Sequence, residues 1–188
     1  LLTNFTFPAI GNLQPVAWFG LMRAGAMLLS LLGVELVRRR VDTSQPRATI
    51  RVLFAISVAQ VISLITLGVA GNFGVALVAF WAFNVARSVP APLWTGWINR
   101  QMDSSVRATM HSFMGQVNAF GQIVGGPIVG GLTQALTGVI GLGAALRAAM
   151  LIVAGVLSPV LALYVGAWRR DPPAVVSVDT TIPDVEPI

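Results

Sequence analysis

Residues 38–51 read Arg38-Arg39-Arg40-Val41-Asp42-Thr43-Ser44-Gln45-Pro46-Arg47-Ala48-Thr49-Ile50-Arg51, with a long apolar run on either side. Five arginines in one polar link between two greasy segments decide the class of fold. The next charged link holds Arg100 and Arg107, and the last holds Arg169 and Arg170. The links that alternate with these, residues 1–14, 69–73 and 132–139, contain no Arg, Lys, Asp or Glu. Cationic loops are retained on the cytoplasmic face of a membrane, so the alternation predicts a polytopic membrane protein with its basic links inside. Of the twelve cations, only Arg23, Arg87 and Arg147 lie within apolar segments.

Composition agrees. The 188 residues are 55% hydrophobic and 10% charged, against about 25% charge in soluble domains. Such a chain has too little polar surface to cover itself in water, which makes the lipid bilayer its expected partner. A net charge of +5 would suggest nucleic acid in a soluble protein. Here the arginines are loop anchors, no basic stripe is interleaved with aromatics, and no nucleic-acid partner is expected. The absence of cysteine excludes disulfides and thiolate metal sites, and a single histidine excludes a His-rich centre. Neither metal nor cofactor is expected. With no acid pair, His cluster or phosphate-binding Gly-Lys motif, the chain does not read as an enzyme.

A helix needs about 20 residues to cross about 30 Å of hydrocarbon. Five segments qualify, at about residues 15–37, 50–69, 73–98, 106–131 and 140–168. Asp103-Ser104-Ser105 offers side-chain oxygens for an N-cap, and Ala70-Gly71-Asn72-Phe73 a tight turn. Trp94, Trp97 and Trp168 fall near the inner ends, where amphipathic rings favour the interface. The predicted fold is all-α integral membrane, with residues 15–170 as the transmembrane bundle. Residues 1–14 read as the end of a truncated helix plus an outer loop. Residues 171–188, acidic and Pro-punctuated, read as a disordered cytoplasmic tail. Five crossings from an outside start are what remains when a six-helix unit loses its first helix.

Charge at bilayer depth costs at least about 2.5–3.5 kcal/mol and normally faces protein or a wet cavity. Arg87, mid-way along the third segment and one turn from Asn84, is therefore either a contact for an anion or polar group in a cavity or a structural arginine. Arg23 in the first segment either joins that cavity or snorkels. Arg147 reads as a snorkelling anchor. In the fourth segment His111, Gly115, Asn118, Gln122 and Gly126 share one helical face. Asn118 and Gln122 are either cavity wall or interhelical glue. Gly121 with Gly125 and Gly126 with Gly130 form small-xxx-small pairs that, with Gly131, suit a packing seam, Pro127 is a hinge, and Pro90 interrupts the third segment. Glu35 is a candidate cytoplasmic latch, with Arg38, Arg100 or Arg107 as partner.

The runs Asn84-Val-Ala-Arg-Ser-Val-Pro90, Trp97-Ile-Asn-Arg100, Arg107-Ala-Thr-Met-His-Ser112 and Gly125-Gly-Pro-Ile-Val-Gly-Gly131 resemble the last half of a major facilitator superfamily transporter, similar to bacterial drug and sugar efflux-type members. The glycine cluster resembles that family's antiporter motif, with its leading glycine at Gly121, one place early. The resemblance implies two six-helix bundles, of which this chain supplies the C-terminal one, incomplete, with an N-terminal bundle as its missing partner. It also implies alternating access around a midplane cavity. Export of a small-molecule substrate, driven by an ion (proton) gradient, across a bacterial inner (plasma) membrane with the C-terminus cytoplasmic, is the expected function. The alternative is a non-transporting scaffold or regulatory module that binds other helices through its glycine seam.

Overall fold

A computed structural model describes residues 15–41 and 46–169. Six helical segments follow one another: α1 (Pro15–Arg40), α2 (Pro46–Val69), α3 (Phe73–Ser88), α4 (Pro90–Gln101), α5 (Ser104–Ile140) and α6 (Leu142–Arg169). No strand occurs among the described residues. Among the described residues five helical lengths are long and apolar enough to cross a membrane, with α3 and α4 forming one of them, Phe73–Arg100. The expectations for residues 1–14 and for the tail at 171–188, and residues 42–45 of the basic link, lie outside the described residues.

Local chemistry sets the ends. Proline opens α1, α2 and α4, where its missing N–H would be unpaired in any case. Asn72 caps α3, its side chain accepting from Val75 N at 2.9 Å. Asp103 stands at the N-cap of α5 but caps with its backbone. Val106 N and Arg107 N both donate to the Asp103 carbonyl at 3.1 Å, so the side-chain cap expected from Asp103-Ser104-Ser105 is not used.

The third segment bends at Val89, ahead of Pro90 as the proline implies, and forms two helices. One boundary departs from the sequence reading: the link expected at 132–139 is instead helix, because α5 runs on to Ile140. Thr133 and Thr137 satisfy their hydroxyls on carbonyls one turn back, Val129 O at 2.8 Å and Thr133 O at 2.7 Å, so the polar residues there do not compete with the helix. The break falls at Gly141, whose φ of 79° and ψ of 157° belong to glycine almost alone.

The helices pack in a row. α1 lies on α3, α3 on α2, α2 on α6 and α6 on α5, and the short α4 touches α2, α3 and α5. One cluster gathers Leu53, Val89 and Leu93 with Val34, Val37, Val41, Trp94 and Tyr164. It joins the ends that carry Arg38–Arg40, Arg51 and Arg169, so the basic ends meet at one end of the bundle. The opposite end holds Leu67, Ala70, Ala76 and Ala79 against Phe73 and Phe80, with Trp18 edge-on to Phe73 at 5.8 Å.

The buried set is rich in small residues: Ala26, Ala76, Ala86, Ala145, Ala149 and Ala154 belong to it, beside larger ones such as Met22, Leu53 and Ile98. Many other large apolar side chains point outward, Leu31, Ile123 and Leu163 among them at about 70% exposure. Lipid tails solvate leucine as well as protein does, so helices in a bilayer associate through close backbone approach. Three glycines provide it. A Cβ on Gly25 would stand 2.9 Å from the Trp81 ring, one on Gly33 2.6 Å from Val85 Cγ1, and one on Gly68 2.9 Å from Leu151.

Candidate functional site

The α1–α3 contact opens on one side into a groove of about 590 Å³. From α1 come Arg23, Ala26, Met27, Ser30, Leu31 and Val34; from α3 come Asn84, Arg87 and Ser88. The α1 positions recur every three or four residues and the α3 positions likewise, so one face of each helix lines the groove. Three contacts fix the two helices against each other. Trp81 Nε1 donates to Met22 O at 3.0 Å, Gly25 accepts the Trp81 ring, and Gly33 accepts Val85.

Within the groove, Asn84 Nδ2 donates to Phe80 O at 2.8 Å and Ser88 Oγ to Val85 O at 2.8 Å. That commits one donor of the Asn84 amide and leaves its oxygen as an acceptor. Arg23 and Arg87 make no hydrogen bond or ion pair among the described residues. Both are exposed on the groove side. Arg87 is about 21 Å along the helix from Phe73, at 1.5 Å per residue, which is the middle of the Phe73–Arg100 span.

Arg23, Asn84 and Arg87, singled out in the sequence, thus share one groove. Asn118 and Gln122 do not line it. They are exposed on α5, which packs on α6 and α4. The glycines of α5 meet nothing: a Cβ on Gly121, Gly125, Gly126, Gly130 or Gly131 would have no neighbour within 4 Å. No residue of α5 is buried, so the face carrying Pro127 is bare in this structure. His111 Nε2 lies 3.2 Å from Asn99 Oδ1, tying the start of α5 to α4.

Glu35 pairs within its own helix, with Arg38 Nε at 2.8 Å and Arg39 Nε at 2.6 Å. The partnership with Arg38 is as the sequence offers; Arg39 joins it, and Arg100 and Arg107 do not. Arg107 instead donates from Nη2 to Met102 O at 3.1 Å. Its Nε, like that of Arg147, is buried without a partner, and nothing in the fold accounts for either.

Sequence reading passed over Gln60. Pro90 has no N–H to offer the Ala86 carbonyl four residues back, and Gln60 Nε2 of α2 reaches that carbonyl at 3.2 Å. A broken helix in a membrane survives where a neighbour re-satisfies the freed group. Ser158 Oγ does the same for Pro159, bonding Gly155 O at 2.8 Å. The signal for Ser158 was legible as a serine directly before a proline. Gln60 carried only the general expense of an amide inside an apolar helix. No group of three His, Asp or Glu side chains able to hold a metal occurs among the described residues.

No family model, no curated protein and no solved structure matches this chain. The class defined by fold and groove is a helical bundle with five spans of membrane-crossing length among the described residues.

Proposed function

We propose that the protein is one half of a secondary-active transporter of the major facilitator kind. It exports small organic solutes by alternating access, driven by an ion gradient, across a bacterial inner membrane. The observation that supports this reading is that Arg23, Asn84 and Arg87 line one groove, with Arg87 at the middle of a helical length long and apolar enough to cross a membrane. Two guanidinium groups facing lipid tails would each cost several kcal/mol, so this side of α1 and α3 faces water or another bundle. A second bundle rocking against it would open the groove to either side in turn. The bend at Val89 and Pro90, directly inward of Arg87, is the place where α3 and α4 flex. Basic helix ends gathered at one end of the bundle support a cytoplasmic placement of that end and of the C-terminus.

The test is retention of a panel of fluorescent organic solutes by cells expressing the complete open reading frame. At least one solute is expected to accumulate less in expressing cells, and Arg87→Ala is expected to restore its accumulation. If no solute responds to Arg87, the reading fails.

One observation favours the scaffold reading: the bare, glycine-rich face of α5. That reading requires Gly126→Leu to disrupt assembly with another membrane protein while Arg87→Ala changes nothing.

A further inference from the structure

We infer that the solute taken by the α1–α3 groove is an organic anion, its carboxylate or phosphate group held by Arg87 and Arg23. The inference rests on the transporter reading above and names the chemistry of the cargo.

The sign of the groove comes first. Its lining holds two guanidinium groups and no acid. Arginine stays charged in any protein environment. A bound cation would meet two like charges in a cleft with low-dielectric walls, which focus the field rather than screen it.

Supply of counter-charge comes second. Neither arginine has a hydrogen-bond or ion-pair partner among the described residues. The acid nearest in sequence to the α1 lining, Glu35, is already held by Arg38 and Arg39 on its own helix. Among the described residues, then, no acid balances the charge at Arg87 and Arg23.

The kind of anion follows from geometry. A guanidinium is a planar fork that matches carboxylate and phosphate oxygens in pairs. Ser30 adds a hydroxyl to the groove, and Met27 and Leu31 give it an apolar wall for a carbon skeleton. Depth separates a soluble anion from a lipid headgroup: Arg87 sits in the middle of its span, whereas headgroups lie at the surface of about 30 Å of hydrocarbon.

The absence of native cysteine makes the test direct. Ser30→Cys and Ser88→Cys are introduced singly into the full chain, held in phosphatidylcholine nanodiscs. Each is reacted with anionic 2-sulfonatoethyl methanethiosulfonate and with cationic 2-(trimethylammonium)ethyl methanethiosulfonate. Every rate is divided by that of the same reagent with 2-mercaptoethanol. The anionic reagent is expected to be favoured at least about tenfold, the low end of what a like-signed cleft produces. Arg87→Lys should keep the preference, and Arg87→Gln with Arg23→Gln should remove it. A preference for the cationic reagent, or one indifferent to both arginines, overturns the anion assignment while leaving a wet cavity standing. Reaction with neither reagent at either position overturns the transporter reading with it. Loss of the anionic preference when phosphatidylglycerol is added would assign the arginines to a lipid headgroup and overturn the proposal; an unchanged preference supports it.

Discussion

At the scale of the residue, the sequence marks expense more readily than it marks purpose. Arg87 and Arg23 stand out because charge is costly in an apolar run, and the structure brings them to one groove with Asn84. Glycines are harder to rank. Five of them cluster in α5, four of these in small-xxx-small pairs (Gly121 with Gly125, Gly126 with Gly130), yet the close approaches fall at Gly25, Gly33 and Gly68. Spacing shows which residues permit contact, while the partner helix decides where contact is made. Gly33→Leu should therefore destabilise the bundle by about 1–3 kcal/mol, the usual cost of overpacking. Gly126→Leu should leave the stability of the isolated chain unchanged. Thermal unfolding of the purified protein in detergent separates the two, and equal loss in both variants would contradict the packing described. Gln60→Leu removes the donor that serves the Ala86 carbonyl and should cost about 0.6–1.7 kcal/mol, the range for side-chain bonds between membrane helices. An unfolding midpoint equal to that of the parent would show that the bond contributes nothing.

Among the elements, the five apolar lengths were legible because a bilayer demands them, and the bend at Pro90 because proline cannot continue the hydrogen-bond ladder. The end of α5 was not. Residues 132–139 look like a link because they are neutral and contain Gln134, Thr137 and Gly138. Neutral residues whose hydroxyls fold back on the helix carry no signal to stop, and the stop is the positive φ of Gly141, which no sequence displays. A helix of 37 residues spans about 55 Å, well beyond the hydrocarbon layer. Gly141→Ala forces a side chain into a conformation that costs about 1–3 kcal/mol. The α5–α6 turn should open first in that variant, seen as faster amide exchange across residues 137–145. Exchange as slow as in the parent would place the turn elsewhere.

For the molecule as a whole, the alternation of basic and neutral links is the reading from which the rest follows. In the structure the ends carrying Arg38–Arg40, Arg51 and Arg169 gather around one cluster, and the Trp18–Phe73 contact lies at the other end. The order of helices in the row was not legible, because apolar helices differ little in which neighbour they prefer. The bare face of α5 and the charged groove between α1 and α3 are surfaces that a bilayer alone does not explain, and a second bundle is the proposed answer to both. Beneath that proposal is the claim that five rods cross a membrane with their arginine-bearing ends on one side. Impermeant maleimide labelling of single cysteines in sealed right-side-out vesicles tests it most directly. Cysteines at Ser44 and Ser177 should react only after the vesicles are opened, and one at Gly71 should react in intact vesicles. Reaction of Ser44 and Ser177 from opposite sides of the membrane would contradict the account.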